Sequence, residues 1–385
     1  MPPFDPEPEE TFSLRIDAQE RNFRALRNPL APTYAHSMEG GKARVYKIES
    51  LDAGSHIYAL KVMKSKHRDP GLEQTCNNLD KLKDIAGLDV CERACLSPSR
   101  ARDTISRFGN LEYSILMPWI QGKSWADVLE MAKKGQNILD KDGSILLASN
   151  FANVLAKLEA NSIAHCDLSA GNIIIDPDPT KLQIELIDVE DLFALGFAQP
   201  AYLPLGTPGY QHKTSGAGQW HARGDRFAGA ILLSEMLGWY DDTVRSTSYG
   251  ESYFDSAELQ SANCRRLDLL IISISRHSND LATLLKRAWS SANLDDCPAI
   301  SEWDQTMKKI RLGKYVVFEE PLKPTIGAKS PPIWTPLLKE PPKIEWEQNK
   351  PNLDEWNNEA DKKNPSSWDQ SDQKASDSKK TVEWE

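Results

Sequence analysis

The sequence predicts an α+β fold of two lobes, strand-rich first and helix-rich second. Three observations predict it. Up to Met117 the apolar residues fall in short alternating runs between turn residues, from Ser144 they recur at helical spacing, and near residue 313 the apolar pattern stops. Ala43 to Ile48 and Ile57 to Met63 flank the turn-like Asp52-Ala53-Gly54-Ser55, so they read as a β-hairpin. Leu111 to Met117 reads as a further strand, broken by Pro118. Ser144 to Ala160 places Ile145, Leu146, Phe151, Val154, Leu155 and Leu158 on one helical stripe. Ile173 to Ile175 and Ile184 to Ile187 read as short strands around the Asp-Pro-Asp-Pro turn at 176–179. Arg226 to Trp239 is apolar enough to predict a buried helix. The expected organisation is an N-terminal extension over 1–35, an N-lobe over 36–118, a C-lobe over 119–312 and a tail over 313–385.

The composition narrows the partners. The 385 residues carry 46 Lys+Arg against 56 Asp+Glu, a net charge of −10. That balance argues against nucleic acid, whose phosphates need a surplus of basic side chains. No apolar run approaches the roughly 20 residues that cross a bilayer, and the acidic, Pro-rich start is unlike a secretory signal. Six cysteines in this length do not make a disulfide framework. Cys91 and Cys95 lack a second pair to complete a zinc site, so they read as reduced thiols. These features predict a cytoplasmic protein.

The strongest chemical signal is His165-Cys166-Asp167-Leu168-Ser169-Ala170-Gly171-Asn172, followed by Leu186-Ile187-Asp188. An Asp on a loop can accept a hydroxyl proton, and an Asn five residues later can return to a Mg2+ ion. A second Asp at the end of the next hairpin completes a metal site that bridges nucleotide phosphates.

This stretch resembles the catalytic loop and metal-binding segment of the protein-kinase superfamily, and further landmarks follow in the same order over residues 36–312. Tyr58-Ala59-Leu60-Lys61 resembles the strand whose lysine grips the α- and β-phosphates. Alone, Lys61 is an ordinary strand lysine and Gly40-Gly41 an ordinary turn. In this order, Glu39-Gly40-Gly41-Lys42-Ala43-Arg44-Val45 resembles the Gly-rich loop. Met117-Pro118-Trp119-Ile120-Gln121-Gly122 resembles the hinge between lobes, where the resemblance implies that backbone groups of Pro118 and Ile120 hold adenine. It thus implies ATP and Mg2+, with Gly40, Gly41, Val45, Ala59, Lys61, Met117, Pro118, Ile120 and Asn172 around the nucleotide. Asn172 and Asp188 would hold the metal, and Asp167 and Lys61 would be catalytic. Gly206-Thr207-Pro208-Gly209-Tyr210 resembles the end of an activation segment, and Asp225 opens a helix like the one that anchors the catalytic loop.

The departures carry expectations of their own. Aligned on Val45, only Gly40 of the loop glycines survives, with Met38 and Ala43 at the outer positions, which implies a weaker nucleotide grip. Cys166 replaces an Arg that binds a phosphorylated activation loop, so activation by that route is not expected. Ser169 replaces a Lys that contacts the γ-phosphate, leaving charge neutralisation to Mg2+ or another cation. Val189-Glu190-Asp191 replaces Phe-Gly, so the usual flip of that segment should be absent. Thr214 and Cys297-Pro298 stand where the family carries a Glu and its partner Arg. Losing both together avoids one buried unpaired charge, worth about 3–5 kcal/mol. The resemblance places the carboxylate that should pair with Lys61 on a helix lying within 71–86, with Glu73 as its candidate and Asn78 in better register.

Three functions fit. The leading one is an ATP- and Mg2+-dependent kinase of protein Ser/Thr hydroxyls. The second is a nucleotide-binding pseudokinase scaffold, suggested by the eroded loop and Ser169. The third is a small-molecule kinase of the aminoglycoside or choline type, to which Ile187-Asp188-Val189-Glu190-Asp191 is similar. The stretches 206–212, 224–227 and Ser301-Glu302-Trp303 resemble a bacterial subgroup that accompanies a PP2C-type phosphatase and a von Willebrand A-type protein, which would then be partners. The tail has too little apolar surface to offset its ordering entropy, so disorder is expected there. Its Trp334, Trp346, Trp356, Trp368 and Trp384 mostly sit beside acidic residues. They suggest weak docking motifs for a partner or segments that fold back on the lobes.

Overall fold

A computed structural model describes residues 3–316 apart from 53, 137, 138, 177 and 179. The fold is α+β, with a β-sheet N-terminal region and a helical C-terminal part. The strands are β1 (Thr11–Ile16), β2 (Gln19–Ala25), β3 (Ser37–Glu39), β4 (Ala43–Ser50), β5 (Ile57–Met63), β6 (Ala94–Cys95), β7 (Ile115–Pro118), β8 (Lys123–Ser124), β9 (Ile173–Ile175) and β10 (Ile184–Leu186). The helices are α1 (Gly71–Leu79), α2 (Arg102–Arg107), α3 (Trp125–Lys133), α4 (Lys141–Ala160), α5 (Arg226–Gly238), α6 (Asp242–Thr247), α7 (Arg265–Ser275), α8 (Asn279–Ser290) and α9 (Ile300–Val316).

The first sheet runs β1-β2-β4-β5-β7-β6, with β3 paired to β4. The expected hairpin is β4–β5, in register Val45↔Lys61 and Lys47↔Ala59. Because opposed residues in an antiparallel pair share a face, Tyr46, Ile48, Leu60, Val62 and Leu116 form one side. That side packs with Phe12, Leu14 and Phe23 into the N-terminal core. Residues 1–35, expected as an extension, contribute β1 and β2 to this same sheet. Their connection, Asp17-Ala18, has φ of 51° and 63°, the positive values of a tight two-residue hairpin turn. Phe4 closes the core, its ring edge-on to Phe12, Tyr46 and Phe108.

One expected element differs. The run from Leu111 to Met117 is not one strand: Gly109–Leu111 is a 3-10 turn and β7 starts at Ile115. Tyr113, at φ 59°, breaks the extended run. Pro118, expected to break the strand, is its last residue, opposite Tyr58. The helix expected within 71–86 is present as α1, Gly71–Leu79, and is followed by a 3-10 turn at Asp80–Leu82.

The C-terminal core is separate and larger. Helix α4 starts at Asp140, whose side chain accepts from Gly143 N at 2.7 Å, and packs against α5 and α9. Helix α5 is buried around nearly its whole circumference, as its composition predicts. Trp125 and Trp239 meet edge-on at 5.6 Å within this core. A small sheet, β10-β9-β8, contributes Ile173, Ile175, Ile184 and Leu186 to the same core. Gly122, at φ +146°, passes so close to β9 that a Cβ would sit 2.2 Å from Ile175 O, so only glycine fits there. Helix α9 runs to Val316, past the expected end of the folded part at 312. The rest of the tail, with its five tryptophans, lies outside the described residues. Among the described residues no helix is long and apolar enough to cross a membrane.

Candidate active site

The sheet face opposite the N-terminal core carries Val45, Ala59, Lys61 and Met117, because Val45↔Lys61↔Ile115 and Lys47↔Ala59↔Met117 are cross-strand rows. Pro118 ends β7 and Ile120 follows just beyond it, where Trp119 N donates to Ile57 O at 3.0 Å. Gly40 and Gly41 lie in the β3–β4 turn, closed by Gly40 N donating to Ala43 O at 2.8 Å. Nothing lies within 4 Å of the place a Cβ would take on Gly41.

Beneath this face, the loop from His165 to Asn172 is pinned from three sides. The buried Asp225 carboxylate accepts from His165 N at 2.6 Å and Cys166 N at 2.8 Å. Burial pushes its carboxyl above the usual carboxylate range, against those two donors. Cys166 is thereby held at φ 64°, a left-handed conformation costing of order 1–3 kcal/mol in a non-glycine residue. His165 Nε2 lies 2.8 Å from Ile187 O, which can only accept, so Nε2 carries the proton and Nδ1 accepts from Asp167 N at 3.3 Å. Asp167 Oδ1 accepts from Thr207 Oγ1 at 2.9 Å.

Asn172 and Asp188 are brought together by the backbone. Ile187 N donates to Asn172 O at 3.0 Å, which places the next residue, Asp188, beside Asn172. Asn172 Nδ2 donates to Asp167 O at 2.9 Å, leaving the amide oxygen as the atom able to ligate. Asp188 is left-handed, at φ 62°. Among the described residues no three His, Cys, Asp or Glu side chains could hold a metal by themselves. One carboxylate with one carboxamide fits Mg2+, which takes few protein ligands and completes its shell with phosphate oxygens and water.

Lys61 links the two layers. Its side chain is 10% exposed, and Nζ donates to Asp188 Oδ1 at 2.5 Å and to Glu190 Oε2 at 2.9 Å. The expected helix partners do not reach it: Glu73 accepts from Ser99 Oγ at 2.8 Å, and Asn78 Oδ1 accepts from Gln74 and Lys81. The lysine's second carboxylate is Glu190, which sequence reasoning noted only as a departure. Glu190 Oε1 accepts from Arg93 Nη1 at 2.9 Å, and Arg93 also donates to Val90 O at 2.7 Å. Burial works against the charge on Lys61, but Glu190 and Asp188 outweigh it and hold the ammonium well above its usual range. Burial likewise opposes ionisation of Glu190, and Lys61 and Arg93 outweigh it, holding the carboxyl far below the usual carboxylate range. Lys42, on the Gly40-Gly41 turn, reaches Asp191 at 3.2 Å.

The segment after the site is anchored to the helical core. Gly209, at φ +91°, packs so closely on Ser252 that a Cβ would lie 2.4 Å from its Oγ. Tyr210, buried, donates to Glu235 Oε2 at 3.2 Å, and Glu235 also accepts from Trp125 Nε1 and Tyr253 N. Burial pushes the Glu235 carboxyl up to about 7. Thr214 and Cys297, the expected double departure, are joined by uncharged groups. Thr214 Oγ1 lies 2.7 Å from His212 Nδ1, His212 Nε2 lies 3.1 Å from Ser291 Oγ, and Ser291 Oγ lies 3.1 Å from Cys297 Sγ.

A cavity of about 660 Å3 opens beside the hinge, lined by Pro118 to Gln121 and by Asp84, Asp89, Glu92, Asp176 and Glu185. Its lining includes none of Lys61, Asp167, Asn172 or Asp188. Its five carboxyl side chains outnumber the single lining cation, Lys83, which makes the hollow unsuited to a triphosphate, although burial, by raising Glu185 to about 7, lessens that negative charge. The six cysteines are unbridged, and all but Cys264 are buried. No protein-family model and no curated protein matches the chain.

Proposed function

We propose that this chain is an ATP- and Mg2+-dependent phosphotransferase of protein-kinase-like bilobal architecture, acting on Ser and Thr hydroxyls of proteins. One observation carries the reading. Lys61 of the sheet and Asp188 of the lower lobe are in contact, with Asn172 bonded beside Asp188 and to the Asp167 backbone. That is one ammonium on one carboxylate, with a carboxamide bonded beside it and to the backbone of the Asp167 loop, and the ammonium and carboxylate lie 127 residues apart in the chain.

In this reading Lys61 holds the α- and β-phosphates and gives up its contact with Asp188 when nucleotide enters. Asp167, oriented by Thr207, accepts the proton of the attacking hydroxyl. Asn172 and Asp188 would hold Mg2+, which when bound neutralises phosphate charge. Most of the acceleration then comes from positioning and electrostatics rather than covalent chemistry. Protein substrates are favoured by the 206–210 segment, which ties Asp167 through Thr207 and α5 through Tyr210. A cytoplasmic setting belongs to the same proposal, as do a PP2C-type phosphatase and a von Willebrand A-type protein as partners.

A pseudokinase scaffold is the second reading, favoured by the Lys61–Asp188 pair, in which two groups that would serve nucleotide satisfy each other. Intact-mass measurement after incubation with MgATP and a protein acceptor separates the readings. Phosphate should appear with wild type and vanish with Asp167→Asn and Asp188→Ala. ATP binding with no transfer by wild type leaves the scaffold. Transfer to aminoglycoside- or choline-type alcohols but to no protein overturns the substrate class alone.

A further inference from the structure

Lys61 has two carboxylate partners of different character. Asp188 is exposed, with 54% of its side chain open to solvent, whereas the Glu190 side chain is 15% exposed. Glu190 uses both oxygens, Oε2 on Lys61 and Oε1 on Arg93. The Arg93 side chain is fully buried and is itself fixed by two donations to Val90 O, from Nε at 3.1 Å and Nη2 at 2.7 Å. The backbone around Glu190 is equally settled. It lies in a 3-10 turn, Val189–Asp191, closed by Leu192 N donating to Val189 O at 3.1 Å, with Val189 and Leu192 buried on either side. Helix α1 contributes no carboxylate to this arrangement, since Glu73 accepts from Ser99 and the helix's buried residues are the uncharged Cys76, packed with Cys95 and Ile115, and Leu79, in the C-terminal core.

We propose that Glu190 is the positioning residue for Lys61, so that one segment, Asp188 to Asp191, places both the phosphate-gripping lysine and the metal-side carboxylate without help from helix α1. The proposal rests on the phosphotransferase reading above. Its logic is a division of labour between the two carboxylates. Asp188 exchanges Lys61 for a cation when nucleotide enters and Lys61 turns to the phosphates, so Asp188 cannot be what fixes the direction of the lysine. Glu190 remains on the lysine throughout, backed by Arg93, so Lys61 keeps its direction while Asp188 changes partners. Because Glu190 and Asp188 are two residues apart in one tight turn, the distance between lysine and metal site is built into local backbone.

The test uses the full chain and three variants. Glu190→Gln removes the positioning charge. Glu190→Gln with Arg93→Met removes one charge of each sign and guards against misfolding caused by a stranded Arg93. Glu73→Gln removes the helix carboxylate. Phosphoryl transfer and calorimetric affinity for MgATP and for adenosine are measured, with melting as the control for folding. Both Glu190 variants should lower kcat by about 100-fold, the scale of a small misplacement of a reacting group. They should also weaken ATP while leaving adenosine, which has no phosphate for Lys61, unchanged. Glu73→Gln should match wild type in every readout. Wild-type kcat and ATP affinity in a folded Glu190 variant overturn the proposal, as does an equal loss in Glu73→Gln. Failure of both Glu190 variants to fold assigns the residue to the core and overturns it too. If wild type neither binds ATP nor transfers phosphate, the phosphotransferase reading falls first and this proposal falls with it.

Discussion

Two polar networks, each running from the interior to an exposed end, lie at positions noted above as departures, and they are built oppositely. At the cleft, Arg93, Glu190, Lys61 and Asp188 form an unbroken line of alternating charges. Beyond the segment that ends near Thr214, the line Thr214, His212, Ser291 and Cys297 carries hydrogen bonds and no formal charge. Burial with Lys213 nearby holds His212 below its usual range, which keeps it neutral. A buried ion pair gains little over uncharged packing because each charge must leave water. The second network therefore loses nothing by being neutral. The first keeps its charges where a polyanion and a divalent ion would arrive, and there the desolvation serves binding.

The largest effect that can break this comparison is at Arg93. Arg93→Met strands half of the Glu190 carboxylate and should cost about 3–5 kcal/mol, the usual penalty for breaking one side of a buried pair. Urea unfolding should show a lower midpoint at unchanged slope. Adding Glu190→Gln should return much of that loss, because the interior is again balanced. If Arg93→Met alone is silent, the charged line is not a unit.

His212 gives the intermediate effect and its pH signature. His212→Phe leaves Thr214 and Ser291 without their ring partner and should cost about 1–3 kcal/mol. Its folded value lies below the ordinary 6.5, so as pH falls below 6.5 the unfolded chain takes up the proton first. The stability it contributes is complete above 6.5 and is lost as pH falls through the folded value. Glu190, also depressed, contributes fully above its ordinary 4.5 and loses that contribution only at lower pH. Glu185 and Glu235, both raised to about 7, gain stability as pH falls through this range, so the His212 loss is read from the difference between wild type and His212→Phe, which should fall below pH 6.5 and be flat above it.

What was legible in the sequence follows the range of the interactions. The β4–β5 hairpin, α4 and α5 were readable because their apolar periods are local. The loop from Asp167 to Asn172 has a bond that closes within five residues, whereas the ties that pin it, from Thr207 to Asp167 and from Asp225 to His165 just before it, span 40 and 60. Strand β2 was not readable, since Gln19 to Asn22 face solvent and show no alternation. Strand β7 was misjudged in length because the left-handed turn at Tyr113 has no glycine to announce it. The resemblance places the partner of Lys61 on the helix after β5, whereas Glu190 lies 129 residues along the chain. Its signal was present as a carboxylate between the apolar Val189 and Leu192, matched by an arginine in the apolar stretch at Arg93. Pairing the two required the fold.

The smallest prediction sharpens the comparison within one segment. Asp191 follows Glu190 directly, yet its partner Lys42 has a side chain 63% exposed, whereas Arg93 has none. Burial works against the Lys42 charge, and Asp191 outweighs it, raising the ammonium modestly above its usual value. An exposed pair is worth about 0–1 kcal/mol and is screened by salt, with a Debye length of about 3 Å at 1 M. Lys42→Ala should therefore shift the urea midpoint slightly at low salt and not at all at 1 M. The Arg93→Met loss should be the same at both, because solvent ions do not enter a fully buried pair. If Lys42→Ala proves as costly as Arg93→Met, then residues 188–191 are held from the Gly40-Gly41 turn rather than from the interior, and the charged line at the cleft is a consequence of that clasp.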